Sequence, residues 1–177
     1  AILMIELRGS NRDEVSMLVS AVQKSLEQAQ LGHHFPVLFD EEVNQAWNLR
    51  QAGLGIISNI PGDTKPVAFI EDTAVSLDDL PDFIGELNQI LRKRYQLQCV
   101  HYAHAGAGEI HLRPTLNLKT ESGRKQMRDV ASDVADLVKK YRGSLSGEHG
   151  DGRVRAEFLE RMIGSENYGL LRQIKQL

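Results

Sequence analysis

The stretch HYAHAGAGEIHLRP, residues 101–114, decides the fold, because it contains two strand-like runs that flank a glycine-rich turn. Apolar and polar side chains alternate in residues 97–104 and 109–114, which is typical of half-buried β-strands. We predict that these runs pair as a hairpin with a two-residue loop at Ala107 and Gly108. One face would then carry apolar side chains toward a core and the other polar ones: Ile110 and Leu112 on the first, and Tyr102, Glu109 and Arg113 on the second.

This register would bring two histidines together on the polar face. His104 and His111 would face each other across the strands, where Cβ atoms lie about 4.5–5.5 Å apart. A catalytic divalent metal takes about three protein ligands and keeps one position open for substrate. The third ligand should be a carboxylate, and both Glu109 and Glu148 are candidates. The alternative is a half-buried histidine pair that only hydrogen-bonds backbone carbonyls.

A second cluster, SGEHGDGRVR at residues 146–155, places Glu148 and His149 between glycines. Glycine permits unusual backbone dihedrals and close approach to a ligand. Because adjacent side chains in a turn point in different directions, Glu148 could bind a metal while His149 faces a substrate. The alternative is an ordinary exposed turn that precedes a helix.

Around these clusters, strand-like and helix-like segments alternate. Apolar residues recur at helical spacing in six segments, namely residues 11–30, 41–53, 80–93, 122–141, 153–162 and 165–177. Further strand-like runs occupy residues 2–8, 35–39 and 67–71, and we interpret the Glu71-Asp72 pair after the last run as structural carboxylates that cap backbone groups. This order predicts an α+β fold, a ferredoxin-like sandwich whose largely antiparallel sheet carries helices on one face. We expect residues 1–177 to form a single domain.

The composition is that of an ordinary globular protein, with 41% hydrophobic and 25% charged residues and a net charge of −3. This balance argues against nucleic-acid binding, which needs a concentrated basic face. No apolar run approaches the roughly 18 residues of a membrane span. Cys99 is the one cysteine, so we expect a reducing, cytoplasmic location, with attachment of a longer parent to a membrane surface left open.

Four motifs, in this order, resemble the C-terminal, substrate-side half of the FAD-linked oxidases: WNLR at 47–50, FIEDTAV at 69–75, HAGAGEIHLRP at 104–114 and SGEHGDGRVR at 146–155. That family includes D-lactate dehydrogenase, D-2-hydroxyglutarate dehydrogenase and a subunit of glycolate oxidase. The long forms that are fused to an iron–sulfur module are the most similar, because HLRP and EHGDGRVR are typical of them. The chain, which starts and stops inside apparent elements, is then expected to be a fragment of a longer flavoprotein.

The resemblance implies a role for six residues. In that family, a divalent metal, zinc or a similar ion, is held by the residues that correspond to His104, His111 and Glu148. His149 would lie beside the substrate and accept its hydroxyl proton. The substrate carboxylates would be bound by arginines, Arg50 of the first motif and Arg113, which stands where several members have asparagine.

The same resemblance implies an activity for the parent protein, the oxidation of a D-2-hydroxy acid of the lactate, glycolate or 2-hydroxyglutarate type to the 2-oxo acid. FAD would be bound mainly by an N-terminal domain outside this chain, so the isolated fragment would be inactive. An electron acceptor, and an iron–sulfur cluster elsewhere in the parent, are further expectations. The alternatives are a non-catalytic binding or regulatory domain of the same fold, or a metal-dependent hydrolase that uses the same His/His/Glu set.

Overall fold

The structure is a computed structural model that describes residues 2–177 and divides into two compact units, residues 1–54 and 55–177. The first unit contains helix α1, Arg12–Gln28, and most of helix α2, Glu41–Ser58. The side chain of Asn11 caps α1 by accepting a hydrogen bond from the backbone N–H of Glu14 at 2.9 Å. Both helices begin in segments where the helical spacing of apolar residues predicted a helix.

Two strands predicted in the first unit are wrong. Within the part of the chain that the structure describes, residues 2–8 and 35–39 form no strand and pair with none. The side chains of Ile2 and Leu3 are largely exposed. An alternating pattern shows only that a segment could bury one face, and a strand also needs a partner for its backbone groups.

The second unit is built around an antiparallel sheet of four strands: β1 Lys65–Pro66, β2 Thr73–Ala74, β3 Cys99–His104 and β4 Glu109–Leu116. β4 pairs with each of the others, and residue 110 lies between Thr73 of β2 and Ala103 of β3. The strand predicted at residues 67–71 has the wrong bounds, because β1 and β2, which pair with β4, lie before and after these residues. The buried side chains of Phe69 and Ile70 turn into the core at that point.

Helices cover one face of this sheet. They are α3 Leu80–Gln89, which continues as a π-helical turn over Ile90–Arg94, and α4 Glu121–Lys140. Further helical segments follow at α5 Gly152–Arg155, a 3-10 turn Ala156–Phe158, α6 Leu159–Ile163 and α7 Ser165–Gln176. One cluster of buried side chains joins the sheet to α3 and α4 and includes Ile110, Leu112, Leu116, Phe83, Leu87, Val130, Val134 and Val138. The α+β fold with an antiparallel sheet is confirmed.

Side-chain alternation along β4 leaves its opposite face for polar groups. Glu109, His111 and Arg113 alternate with the core residues Ile110 and Leu112, so they point away from α3 and α4. A membrane-spanning helix, which needs a long apolar run, is not found among residues 2–177.

The turn between β3 and β4 depends on one glycine. Gly108 has a φ of +71°, and a Cβ atom there would come within 2.1 Å of the carbonyl oxygen of Val75. Gly106 lies in the same turn, has no positive φ, and has no described heavy atom within 4 Å of the position that a Cβ atom would take.

We therefore expect Gly108→Ala to lower the free energy of unfolding by about 1–3 kcal/mol through backbone strain alone, with the steric clash adding to it. Gly106→Ala is the matched control and should change it by less than about 0.5 kcal/mol. Urea denaturation of both variants measures the difference. Equal stability of the two variants would contradict the geometry of this turn.

Candidate metal and active site

The hairpin forms, but its register differs from the predicted one by two residues. Tyr102 faces His111, and His104 faces Glu109. The predicted direct pairing of His104 with His111 and the two-residue loop are wrong, because Ala105–Ala107 form a 3-10 turn before Gly108. A shift of two residues keeps every side chain on its predicted face. The rings of His104 and His111 still meet, edge to face, with centroids 5.1 Å apart.

Three possible ligand atoms converge on this face. Oε1 of Glu148 lies 3.7 Å from Nε2 of His104 and 3.9 Å from Nε2 of His111. These distances are too long for hydrogen bonds, but they are close to the ~3.4 Å that separates ligand atoms around a tetrahedral Zn²⁺ with bonds of about 2.0–2.1 Å. The three ligand atoms lie within 4.8 Å of one another. Two imidazole nitrogens and a carboxylate oxygen suit zinc or a similar ion, so the residues present fit such a metal.

The buried side chain of His111 is already oriented for this role. Its Nδ1 lies 2.5 Å from the carbonyl oxygen of Glu71. Because a carbonyl can only accept, the proton must be on Nδ1, and Nε2 keeps its lone pair on the side of Glu148. A ligand histidine whose second nitrogen donates to a carbonyl is the usual arrangement around protein-bound metals.

Asp72 holds the segment that carries Glu148 and His149. Its carboxylate accepts hydrogen bonds from the backbone N–H of Glu148 at 3.1 Å, the backbone N–H of His149 at 3.0 Å and the hydroxyl of Ser146 at 2.8 Å. Burial by itself would raise the pKa of Asp72, but a hydrogen bond from Glu109 and these three bonds outweigh it and hold that pKa far below its usual value. The interpretation of Asp72 as a cap for backbone groups is confirmed. The same interpretation of Glu71 is wrong, because its carboxylate pairs with the guanidinium of Arg113.

Glu109, the local candidate for the third ligand, is occupied differently. Burial, a hydrogen bond with Asp72 and the negative charges of Glu148 and Asp72 raise the pKa of Glu109 to about 7. Asp72, Glu109 and His111 form a second group with ligand atoms within 4.8 Å of one another. In that group, however, the oxygens of Asp72 already accept from the 146–149 segment, and the raised pKa of Glu109 disfavours the anionic form that a metal ligand needs. Glu148 is therefore the carboxylate that is available to a metal.

His149 lies between two carboxylates. Its Nδ1 is 3.5 Å from Oδ1 of Asp72, and its Nε2 is 3.6 Å from Oε1 of Glu148. The ring also stacks on His111, with an interplanar angle of 14°. The side chain is 45% exposed, so a bound small molecule could reach Nε2. The structure thus brings His149 to the edge of the three possible metal ligands.

The two arginines predicted to bind substrate lie in different units. Arg113 is on the same face of β4 as His111, where it pairs with the carboxylate of Glu71 and its Nε donates to the hydroxyl of Tyr102 at 2.6 Å. Arg50 is on α2 in the first unit. One of its guanidinium nitrogens, Nη2, is buried and has no hydrogen-bond partner among the residues that the structure describes.

Comparison with known proteins identifies relatives of this chain. The sequence profile of the family described as "FAD linked oxidases, C-terminal domain" matches residues 1–177. The chain is 32% identical to D-2-hydroxyglutarate dehydrogenase of Haemophilus influenzae over 181 residues, which cover 98% of this chain and 17% of that protein. It is 31% identical to D-lactate dehydrogenase of Archaeoglobus fulgidus over 116 residues, 66% of this chain and 25% of the relative.

A third relative is glycolate oxidase subunit GlcD of Bacillus subtilis, which is 22% identical over 136 residues, 77% of this chain and 28% of the relative. The chain therefore spans only a minor part of the length of the relatives it matches. The resemblance seen in the four motifs is confirmed.

Proposed function

The chain belongs to the family of FAD linked oxidase C-terminal domains, and on that premise we propose that it is the substrate-binding domain of a flavoprotein that oxidises a D-2-hydroxy acid to the 2-oxo acid. The observation that carries this proposal is the convergence of His104, His111 and Glu148 with His149 beside them. The names of three relatives refer to D-2-hydroxyglutarate, glycolate and D-lactate, which are all 2-hydroxy acids.

We place the metal between Nε2 of His104, Nε2 of His111 and Oε1 of Glu148. A divalent ion such as Zn²⁺ bound there would act as a Lewis acid toward the hydroxyl and carboxylate oxygens of the substrate. The protein contributes a fixed set of ligands, because Glu71 orients His111 and Asp72 holds the backbone of Glu148. His104 and Glu148 are about half exposed, which leaves one side of the site open to substrate.

His149 is the proposed base that accepts the hydroxyl proton of the substrate. Its Nε2 faces Oε1 of Glu148, the oxygen that is proposed to bind the metal. A substrate hydroxyl bound at the metal would therefore lie next to Nε2. Neutral imidazole is the side chain best suited to accept a proton near neutral pH. FAD, held mainly by a part of the protein outside this chain, would accept the α-hydrogen as hydride.

Arg50 and Arg113 are the proposed carboxylate anchors. Arginine presents a planar set of donors that matches a carboxylate. Nη2 of Arg50 is buried and has no hydrogen-bond partner among the residues that the structure describes. This is consistent with a guanidinium that binds an anion from outside the chain. Arg113 already binds Glu71 and Tyr102 through Nη2 and Nε, which leaves Nη1 for a substrate.

The electron acceptor, an iron–sulfur cluster elsewhere in the parent protein and a cytoplasmic location complete the proposal. They are supported only by the sequence, through the similarity to the long family members and through Cys99, the one cysteine in the chain.

Anaerobic reduction of the flavin in the full-length protein tests this function. D-lactate, glycolate and D-2-hydroxyglutarate are each mixed with the protein, and the loss of oxidised-flavin absorbance is followed. We expect at least one of them to bleach the flavin, and the L enantiomers of lactate and 2-hydroxyglutarate to do so far more slowly. Bleaching by none of the three would contradict the proposal. Hydrolysis of an ester by flavin-free protein would favour the hydrolase instead, and absence of any bound metal would favour a non-catalytic domain.

A further inference from the structure

Asp72 connects the two segments that form the site. It lies in the turn before β2, its side chain is 0% exposed, and its partners lie 74 to 77 residues later in the chain. Taking the role of Glu148 from the proposed function, we propose that Asp72 is the positioning residue that fixes Glu148 as a metal ligand.

The fixation of Glu148 follows from the number of bonds to residue 72. The side chain of Asp72 accepts from Ser146, Glu148 and His149, and its backbone carbonyl accepts from the N–H of Gly147 at 2.7 Å. Four consecutive residues of the loop are therefore held by one residue. Because the neighbouring residues 73–74 pair with β4, this turn sets the distance from the loop to His111.

An aspartate suits this position better than an asparagine would. Oδ1 accepts from Glu148, and Oδ2 accepts from both His149 and Ser146. Arg155, which is buried, places its Nη2 3.6 Å from Oδ2 and also donates to the carbonyl of Gly150 at 2.6 Å. An amide has one oxygen and a donor NH₂ group, so Asp72→Asn must lose the partners of one oxygen and the negative charge that faces Arg155.

The test compares Asp72→Asn with Asp133→Asn in the full-length protein. Asp133 is the matched control, because it is a largely buried aspartate that accepts from the hydroxyl of Tyr95 at 2.6 Å and pairs with Arg94 at 2.7 Å, on α4. Two quantities are measured: Zn²⁺ affinity by competition with a chelating dye, and hydrogen exchange of the Glu148 and His149 amides.

We expect both variants to lose stability and only Asp72→Asn to change the two readouts. Zn²⁺ affinity should fall about 10- to 100-fold, as for other outer partners of metal ligands. The two amides should exchange faster. If Asp72→Asn matches Asp133→Asn and the wild type in both, the positioning role is wrong.

Ser146→Ala is the second test variant, to be used if Asp72→Asn does not fold. It removes only the hydroxyl that donates to Asp72, and it should speed exchange of the Glu148 and His149 amides, whereas unchanged exchange would overturn the inference. A wild-type protein that binds no Zn²⁺ would instead overturn the proposed function. The exchange measurement does not need the metal and would still test Asp72.

Discussion

Replacing His149 by alanine is expected to lower the rate of flavin reduction by a D-2-hydroxy acid about 10²- to 10⁴-fold, the usual contribution of a general base. The expectation follows from the position of His149, whose Nε2 lies 3.6 Å from the carboxylate oxygen proposed to bind the metal. The backbone N–H of His149, not its ring, is what binds Asp72 at 3.0 Å. The variant should therefore keep the loop in place and retain its metal.

The control for this experiment is His101→Ala. His101 is an exposed histidine of β3 whose Nδ1 lies 3.1 Å from the carbonyl oxygen of Cys99. Its loss should leave the rate of flavin reduction unchanged. Stopped-flow measurements at saturating substrate, with metal content determined on the same samples, separate loss of the base from loss of the metal. A His149→Ala protein that reduces its flavin at the wild-type rate would remove the proposed base.

Replacing His104 and His111 together by alanine should weaken Zn²⁺ binding by more than about 100-fold. That is the upper limit of the effect when a residue that only hydrogen-bonds a metal ligand is lost. The double variant removes both nitrogen ligands and leaves only Glu148. Substrate oxidation should fall with the metal, because the substrate hydroxyl would lose its Lewis acid. Competition with a chelating dye gives the affinity.

The chain offers a matched pair of histidines for comparison. His33 and His34 are exposed in the first unit, and their double replacement by alanine changes the same number of imidazoles. That control should bind Zn²⁺ as tightly as the wild type. Equal affinities of the two double variants would show that the hairpin histidines hold no metal.

Local patterns predicted the helices and the two faces of the hairpin, because both depend on neighbouring residues. Helical spacing predicted α1 and α4 to within one or two residues of their ends. The alternation of side chains predicted that His104, His111 and Arg113 share one face. This prediction is confirmed, because a register that differs by two residues keeps each side chain on the same face. The register itself depends on the shape of the turn, and the 3-10 turn before Gly108 is not visible in the spacing of apolar residues.

Features that depend on distant pairing could not be predicted. Residues 2–8 have a strand-like pattern and no partner strand within the described part of the chain. Asp72 binds the backbone N–H groups of Glu148 and His149, which lie 76 and 77 residues later in the chain. Arg113 pairs with Glu71, and only the fold brings these two segments together. The sequence signal for Asp72 was its place at the end of an apolar run, which indicated a cap but not which backbone groups it caps.

Anomalous X-ray scattering at the metal absorption edge, from crystals of the full-length protein, tests the metal site most directly. The proposed site predicts one strong peak about 2.0–2.2 Å from Nε2 of His104, Nε2 of His111 and Oε1 of Glu148. In crystals that also contain a D-2-hydroxy acid, the substrate hydroxyl should lie between this peak and Nε2 of His149. A metal peak bound by other residues, or no peak at these three atoms in metal-replete crystals, would contradict the proposed site.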